Sequence, residues 1–142
     1  MAKTALFTIG YEGRALDELI AELSAHRIDR VVDVRDLPLS RRRGFSKTPL
    51  HEALAASDIE YVHLRQAGNP FRREKDLIPR TELLAKYKVH LATAGQAITD
   101  VTEAVRGRRV SLLCYERDPA ECHRSLLSKR VARRLGTKII DL

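Results

Sequence analysis

The chain has 142 residues, 44% of them hydrophobic and 32% charged, with a formal net charge of +7. That length suits one domain over residues 1–142, and the ordinary apolar fraction excludes a disordered chain. No stretch approaches the roughly 20 apolar residues of a membrane helix, the start from Met1 to Leu6 lacks a signal peptide's apolar core, and two cysteines do not make a disulfide scaffold. The expectation is a soluble, single-domain, cytoplasmic protein.

Of the 26 basic residues, 19 are arginine and 7 lysine. Arginine presents a planar fork suited to bidentate contact with phosphate or carboxylate, whereas lysine is a mobile point charge. A GC-rich genome produces the same bias without function. The basic balance itself points to anionic partners: nucleotides, nucleic acid or phosphate esters.

Taken in chain order, strand-like and helix-like segments alternate. Leu6-Phe7-Thr8-Ile9-Gly10 is a short apolar run ending at a glycine. Residues 15–26 then carry Leu16, Leu19, Ile20 and Leu23 at the spacing of an amphipathic helix. Val31-Val32-Asp33-Val34 reads as a second strand, and residues 49–57 as a short helix with Pro49 in its first turn. Ile59–Leu64 is a third strand, followed by a charged loop from Arg65 to Pro79. The helical stretch 80–105 contains Gly95 and is either two helices or one bent helix. Arg109–Cys114 is the clearest strand; a helix over Pro119–Leu135, capped by Gly136, and a last strand over Lys138–Leu142 complete the chain.

Strands separated by helices need crossover connections, so they should be parallel and share one sheet. Their nearly continuous apolar runs fit a sheet covered on both faces. The expected fold is a three-layer α/β domain with a mainly parallel sheet of about five strands. Ligands in such folds bind beyond the carboxyl ends of the strands.

Four segments at those ends hold the candidate site residues. Gly10-Tyr11-Glu12-Gly13 leads straight into a helix, so its backbone amides suit an anion, although neither a Walker loop nor a dinucleotide fingerprint is present. A plain tight turn gives the same pattern. After the second strand, Asp33 and Arg35 share a strand face and form a candidate ion pair directed at the site. The following loop places Ser40, Arg41, Arg42, Arg43 and Lys47 close together, which suits a phosphate or simply a solvated basic loop. His63 is the best placed of the isolated histidines, and Asn69-Pro70 could close over the site as a flexible edge.

The sharpest signal is Cys114-Tyr115-Glu116-Arg117-Asp118-Pro119-Ala120-Glu121-Cys122-His123-Arg124-Ser125. Asp118, Pro119 and Glu121 read as the capped start of the last helix, which puts Cys122, His123 and Arg124 in its first turns. Three chemistries compete. A thiolate at Cys114 or Cys122 could act as nucleophile with Arg117 or Arg124 on an oxyanion. A metal could be held by Cys114, Cys122 and His123, against which adjacent helical residues point about 100° apart and no paired CxxC exists. In the third and preferred reading, Arg124 and the helix N-terminus bind phosphate, Glu116 is the acid or base, and Cys122 is packing. No metal is assigned, and the residues name no particular cofactor.

With these residues in view, the chain resembles the uncharacterised proteins grouped as domain of unknown function, family 488. The resemblance runs through Thr8–Gly13, Val32–Arg35, Leu37–Arg41, Tyr61–Leu64, Gly68–Pro70, Leu112–Glu116 and Asp118–Ser125, nearly the whole chain. Ala67 stands where a leucine is expected before Gly-Asn-Pro. The resemblance implies a small α/β protein and carries no reaction with it.

The resulting expectation is a protein that binds or processes a nucleotide, nucleic acid or other phosphate-bearing ligand. Gly10, Tyr11, Arg35, Ser40, Arg41, Asn69, Arg117 and Arg124 are the candidate binding residues. Asp33, Glu116 and His123 are the candidate acid–base groups, with Cys114 and Cys122 as thiols of unassigned role. The alternatives are a non-catalytic nucleic-acid-binding module and a thiol- or metal-dependent enzyme using Cys114, Cys122 and His123.

Overall fold

The computed structural model describes residues 3–142; Met1 and Ala2 of the N-terminal stretch lie outside the described residues. The strands are β1 (Ala5–Gly10), β2 (Arg30–Asp33), β3 (Glu60–His63), β4 (Arg109–Cys114) and β5 (Ile139–Asp141). The helices are α1 (Leu16–Ala25), α2 (Lys47–Ala55), α3 (Arg80–Thr93), α4 (Gly95–Val105) and α5 (Arg124–Leu135). All strand pairs are parallel, in the order β3-β2-β4-β1-β5.

Successive strand residues point to opposite faces, so each apolar strand feeds two cores. Leu6, Val32, Val110 and Leu112 join Tyr87, Leu91, Ile98, Val101, Leu127 and Val131 on the face covered by α3, α4 and α5. Phe7, Ile9, Val31 and Leu113 join Leu19, Leu23, Leu50 and Leu54 on the face covered by α1 and α2. The result is the three-layer α/β domain the strand pattern predicts, with a sheet of five strands.

The strand order decides where a ligand can enter. From β1 the chain moves through α1 to β2 and then through α2 to β3, toward one edge. From β3 it moves back through α3 and α4 to β4, and then through α5 to β5 at the other edge. One handedness of crossover therefore sends the first two helices to one face and the last three to the other. The loops leaving the adjacent strands β1 and β4 part to opposite sides, which is the topological switch point of the sheet.

Two expected elements change. The stretch 80–105 is two helices that meet at Ala94 and Gly95. The expected helix over Pro119–Leu135 is instead a short 3-10 turn (Pro119–Glu121) followed by α5 from Arg124. Asp118 does cap, accepting from the Ala120 amide, but what it caps is that turn. Cys122 is extended, with φ −120° and ψ 142°, and breaks the path between the two. Gly136 ends α5 at φ 61°, a left-handed position that costs glycine nothing.

Candidate functional site

A cavity of about 220 Å³ opens at the switch point, lined by loops from β1, β2 and β4 together with the segment before α3. Tyr11 comes from the end of β1, Arg35 and Asp36 from the end of β2, and Cys114, Tyr115 and Glu116 from the end of β4. Asn69, Arg72, Lys75 and Arg80 close it from the long loop and the start of α3, and His123 from the entry to α5.

Gly10 makes this convergence possible. It pairs in register with Cys114, and a Cβ at position 10 would lie 1.8 Å from the Glu116 carbonyl oxygen. Only a residue without a side chain lets the two strand ends approach so closely. The Tyr11 amide then donates to the Cys114 carbonyl and the Glu12 amide to the Tyr115 carbonyl, extending the pairing past the sheet.

Asp33 and Arg35 form the predicted ion pair at 2.7 Å, with side-chain exposures of 0% and 6%. Asp33 accepts from the Arg35 amide and guanidinium and from the Tyr61 hydroxyl. It does not line the cavity, so the pair supports the site and the carboxylate is not presented to a ligand. Arg35 also donates to the Phe45 carbonyl and to Tyr11 Oη. Burial works against its charge, but Asp33 outweighs this and the guanidinium pKa is raised. Tyr61, buried and beside the Asp33 carboxylate, has its hydroxyl pKa raised as well.

The basic loop is turned inward on itself. Ser40 donates its amide to Ser46 Oγ and accepts from the Arg42 amide, and Arg42 donates to the Tyr11 and Arg14 carbonyls. Ser40 and Arg41 lie outside the cavity lining, and Arg41 is exposed. Asn69 lines the cavity but spends Oδ1 on the Phe71 amide. Arg117 is exposed and donates its amide to Glu12 Oε1. His63 accepts no role in the cavity; its Nε2 pairs with the Arg35 carbonyl at 2.7 Å.

The structure joins Cys114 and Cys122 as a disulfide, correcting the expectation of two separate thiols. Both are 1% exposed. Arg124 closes over them. It is fully buried, and its Nη1 lies 3.2 Å from Cys114 Sγ while the guanidinium also donates to the Glu116 and Arg117 carbonyls. Its Nη1 and Nη2 donors are committed to the protein's own backbone and sulfur while Nε is buried without a hydrogen-bond partner, so Arg124 builds the loop, and the cations facing the cavity are others. Burial lowers its pKa, with Asp141, Glu116 and Asp118 opposing that effect.

The break at Cys122 also overturns the geometric objection to a Cys–His grouping. Cys122 is extended and His123 is the N-cap of α5, so the two are not successive residues of one helix and the objection from helical divergence does not apply. His123 Nδ1 is 3.8 Å from Cys122 Sγ, and Nε2–H donates to the Val34 carbonyl at 2.9 Å. The ring packs edge-on to Tyr87 at 4.9 Å between centroids. Burial holds His123 below the ordinary histidine value. Among the described residues, Cys114, Cys122 and His123 form a group whose ligand atoms all lie within 4.8 Å of one another.

Glu116 is one of the carboxylates on the cavity wall. Oε1 pairs with Arg80 at 3.2 Å, and Oε2 lies 3.8 Å from Cys114 Sγ. Arg80 is held in turn by the Glu121 carbonyl at 2.7 Å, and Arg72 by Asp36 at 3.2 Å. Lys75, which is exposed, lines the cavity as well. Asp36, Arg72, Lys75 and Arg80 were not legible as site residues, since nothing local distinguishes them from other surface charges. The single sequence hint was the charged character of the loop over 65–79.

The comparisons with known proteins bear on the same residues. No curated protein and no solved structure matches the chain. A family model described as "Domain of unknown function DUF488" matches residues 15–131, from the start of α1 into α5. That span includes the strand ends of β2 and β4 and the whole Cys114–Arg124 segment, while Gly10 and Tyr11 lie just outside it. By a match over most of its length, the chain belongs to the domain-of-unknown-function family DUF488.

Proposed function

We propose that the protein binds and processes a small phosphate-bearing ligand, of nucleotide size or less, in the switch-point cavity. The observation that carries this reading is the presence on the walls of one cavity of Lys75 and of Glu116, the latter held by Arg80. Four cationic side chains line it (Arg35, Arg72, Lys75, Arg80) against three carboxylates (Asp36, Glu116, Glu121). Lys75 and the exposed edges of Arg72 and Arg80 take the anion, and Glu116 serves as the acid or base toward the group attached to it. A volume near 220 Å³ supports a compact ligand over a nucleic-acid segment.

Isothermal titration with inorganic phosphate and with nucleoside monophosphates tests the reading. Binding should weaken about tenfold in Lys75→Ala, as loss of one charged hydrogen bond entails, and be unchanged in Arg41→Ala. Absence of binding by the wild-type protein at millimolar ligand, or equal affinity in Lys75→Ala, would overturn it. Exposed Arg41, Arg43 and Lys47 favour a second reading, a nucleic-acid-binding surface. That reading requires affinity for oligonucleotides with a steep salt dependence and loss of affinity in Arg41→Ala.

A further inference from the structure

Cys114, His123 and Glu116 line the cavity, with Cys122 bonded to Cys114, and the function proposed above uses only the carboxylate. We infer that Cys114, Cys122 and His123, with Glu116 beside them, form a binding site for a borderline-soft divalent transition metal of the zinc type. The inference does not depend on the anion reading.

The spacing is the first argument. In a tetrahedral site with metal–sulfur bonds near 2.3 Å and metal–nitrogen bonds near 2.0 Å, sulfur and nitrogen lie about 3.5 Å apart. Cys122 Sγ and His123 Nδ1 are 3.8 Å apart, and Glu116 Oε2 is 3.8 Å from Cys114 Sγ. The Cα atoms of the two cysteines are 7.5 Å apart. Disulfides usually span roughly 4.4–6.8 Å between Cα atoms, so this backbone holds the side chains wide enough for an ion between the sulfurs.

The second argument is the surroundings of the donors. His123 gives its Nε2–H to the Val34 carbonyl, which fixes the tautomer and leaves the Nδ1 lone pair facing Cys122. Metal-bound histidines are oriented in this way by a carbonyl or carboxylate on the other ring nitrogen. Each sulfur also has an N–H donor. Arg124 Nη1 is 3.2 Å from Cys114 Sγ, and the Arg124 amide is 3.5 Å from Cys122 Sγ. Two thiolates and Glu116 carry three negative charges, set against one divalent ion and the guanidinium groups of Arg124 and Arg80, the latter paired with Glu116. Cys114, Glu116 and His123 all line the cavity, so the ion has an entry path and a coordination position open to a ligand.

The ion takes the place of the sulfur–sulfur bond, so the disulfide is reduced first. A water-soluble phosphine supplies the two electrons: with one water it converts the disulfide to two thiols and becomes the phosphine oxide. The ion then binds the two sulfurs and releases both thiol protons to solvent.

The test is to reduce the full chain with the phosphine without air, add zinc or cobalt(II), remove unbound metal and measure retained metal by mass spectrometry. We expect one equivalent of zinc per chain, and a thiolate-to-cobalt charge-transfer band in the cobalt form. Affinity should fall more than about tenfold in His123→Gln, and retention should be lost in Cys122→Ser. The cobalt spectrum of the wild-type protein needs no variant, so misfolding of Cys122→Ser leaves the test intact. No metal retained by the reduced wild-type protein, or a cobalt spectrum without thiolate bands, overturns the inference. Because no phosphate is present, its failure is separate from failure of the anion reading.

Discussion

Arg124 Nη1 lies 3.2 Å from Cys114 Sγ, with the guanidinium fully buried and two backbone carbonyls, of Glu116 and Arg117, closed on the same group. A side chain from the first turn of α5 thus organises the loop that leaves β4. The loop carries Glu116 into the cavity, so the position of the candidate acid or base depends on a residue that never faces the ligand.

Truncating that side chain should be severe. Arg124→Ala leaves two partly buried carbonyls without donors and empties the space of a large, fully buried side chain. The expected loss is about 3–5 kcal/mol in denaturant unfolding. Arg124→Lys should recover little, because an ammonium cannot span both carbonyls and the sulfur in one plane. Unfolding curves of Arg124→Ala that overlay the wild type would remove Arg124 from this role.

Gly10 offers a second test of the same convergence. Its φ is not in the left-handed region, so alanine is sterically wrong only because its Cβ would meet the Glu116 carbonyl at 1.8 Å. Backbone cannot yield as a flexible side chain does, and Gly10→Ala should cost about 3 kcal/mol. Thermal denaturation reads this directly; a melting temperature unchanged by the substitution would contradict the close approach.

Asp33 should behave as a structural ion-pair partner. Asp33→Ala strands the Arg35 guanidinium, which is 6% exposed, and should cost about 3–5 kcal/mol. Tyr61→Phe removes one hydrogen bond to the same carboxylate and should cost about 1–2 kcal/mol. A double-mutant cycle between positions 33 and 61 should give a non-zero coupling, and strict additivity would separate the two residues.

The tyrosines give a pH prediction. Burial raises the pKa of Tyr87, whose hydroxyl donates to the Ala67 carbonyl, and burial with the Asp33 charge raises that of Tyr61. Both are neutral in the fold at pH values where an unfolded chain, titrating near 10, would ionise them. Their contribution to stability is therefore complete below about pH 10 and is lost as pH rises beyond it. Ultraviolet absorbance of phenolate should show Tyr61 and Tyr87 titrating only with unfolding. Ionisation of either at ordinary pH in the folded protein, identified with Tyr61→Phe and Tyr87→Phe, would contradict this.

The sequence by itself determined the layers of this protein. Val31-Val32 and Leu112-Leu113 are apolar at successive positions, and such strands can only be buried on both faces, with amphipathic α1 and α5 as covers. Strand-end logic also marks Cys114, Glu116 and His123, because those positions follow β4 in the chain. The order of the strands, and with it the switch point, was decided by tertiary structure, since local pattern does not say which strands become neighbours. The same holds for which charges face the cavity. Arg124 and Arg35 look like ligand-binding arginines in sequence but are spent on carbonyls and on Asp33, whereas Lys75 and Arg80 come from a loop and helix that carry no motif. Finally, a helix over Pro119–Leu135 would have pointed Cys122 and His123 apart. In the fold they do not share a helix, because the 3-10 turn ends at Glu121 and α5 restarts at Arg124 to bury Leu127 and Val131 against the sheet. Packing of that apolar stripe sets where the helix begins, a long-range demand that local capping signals do not contain.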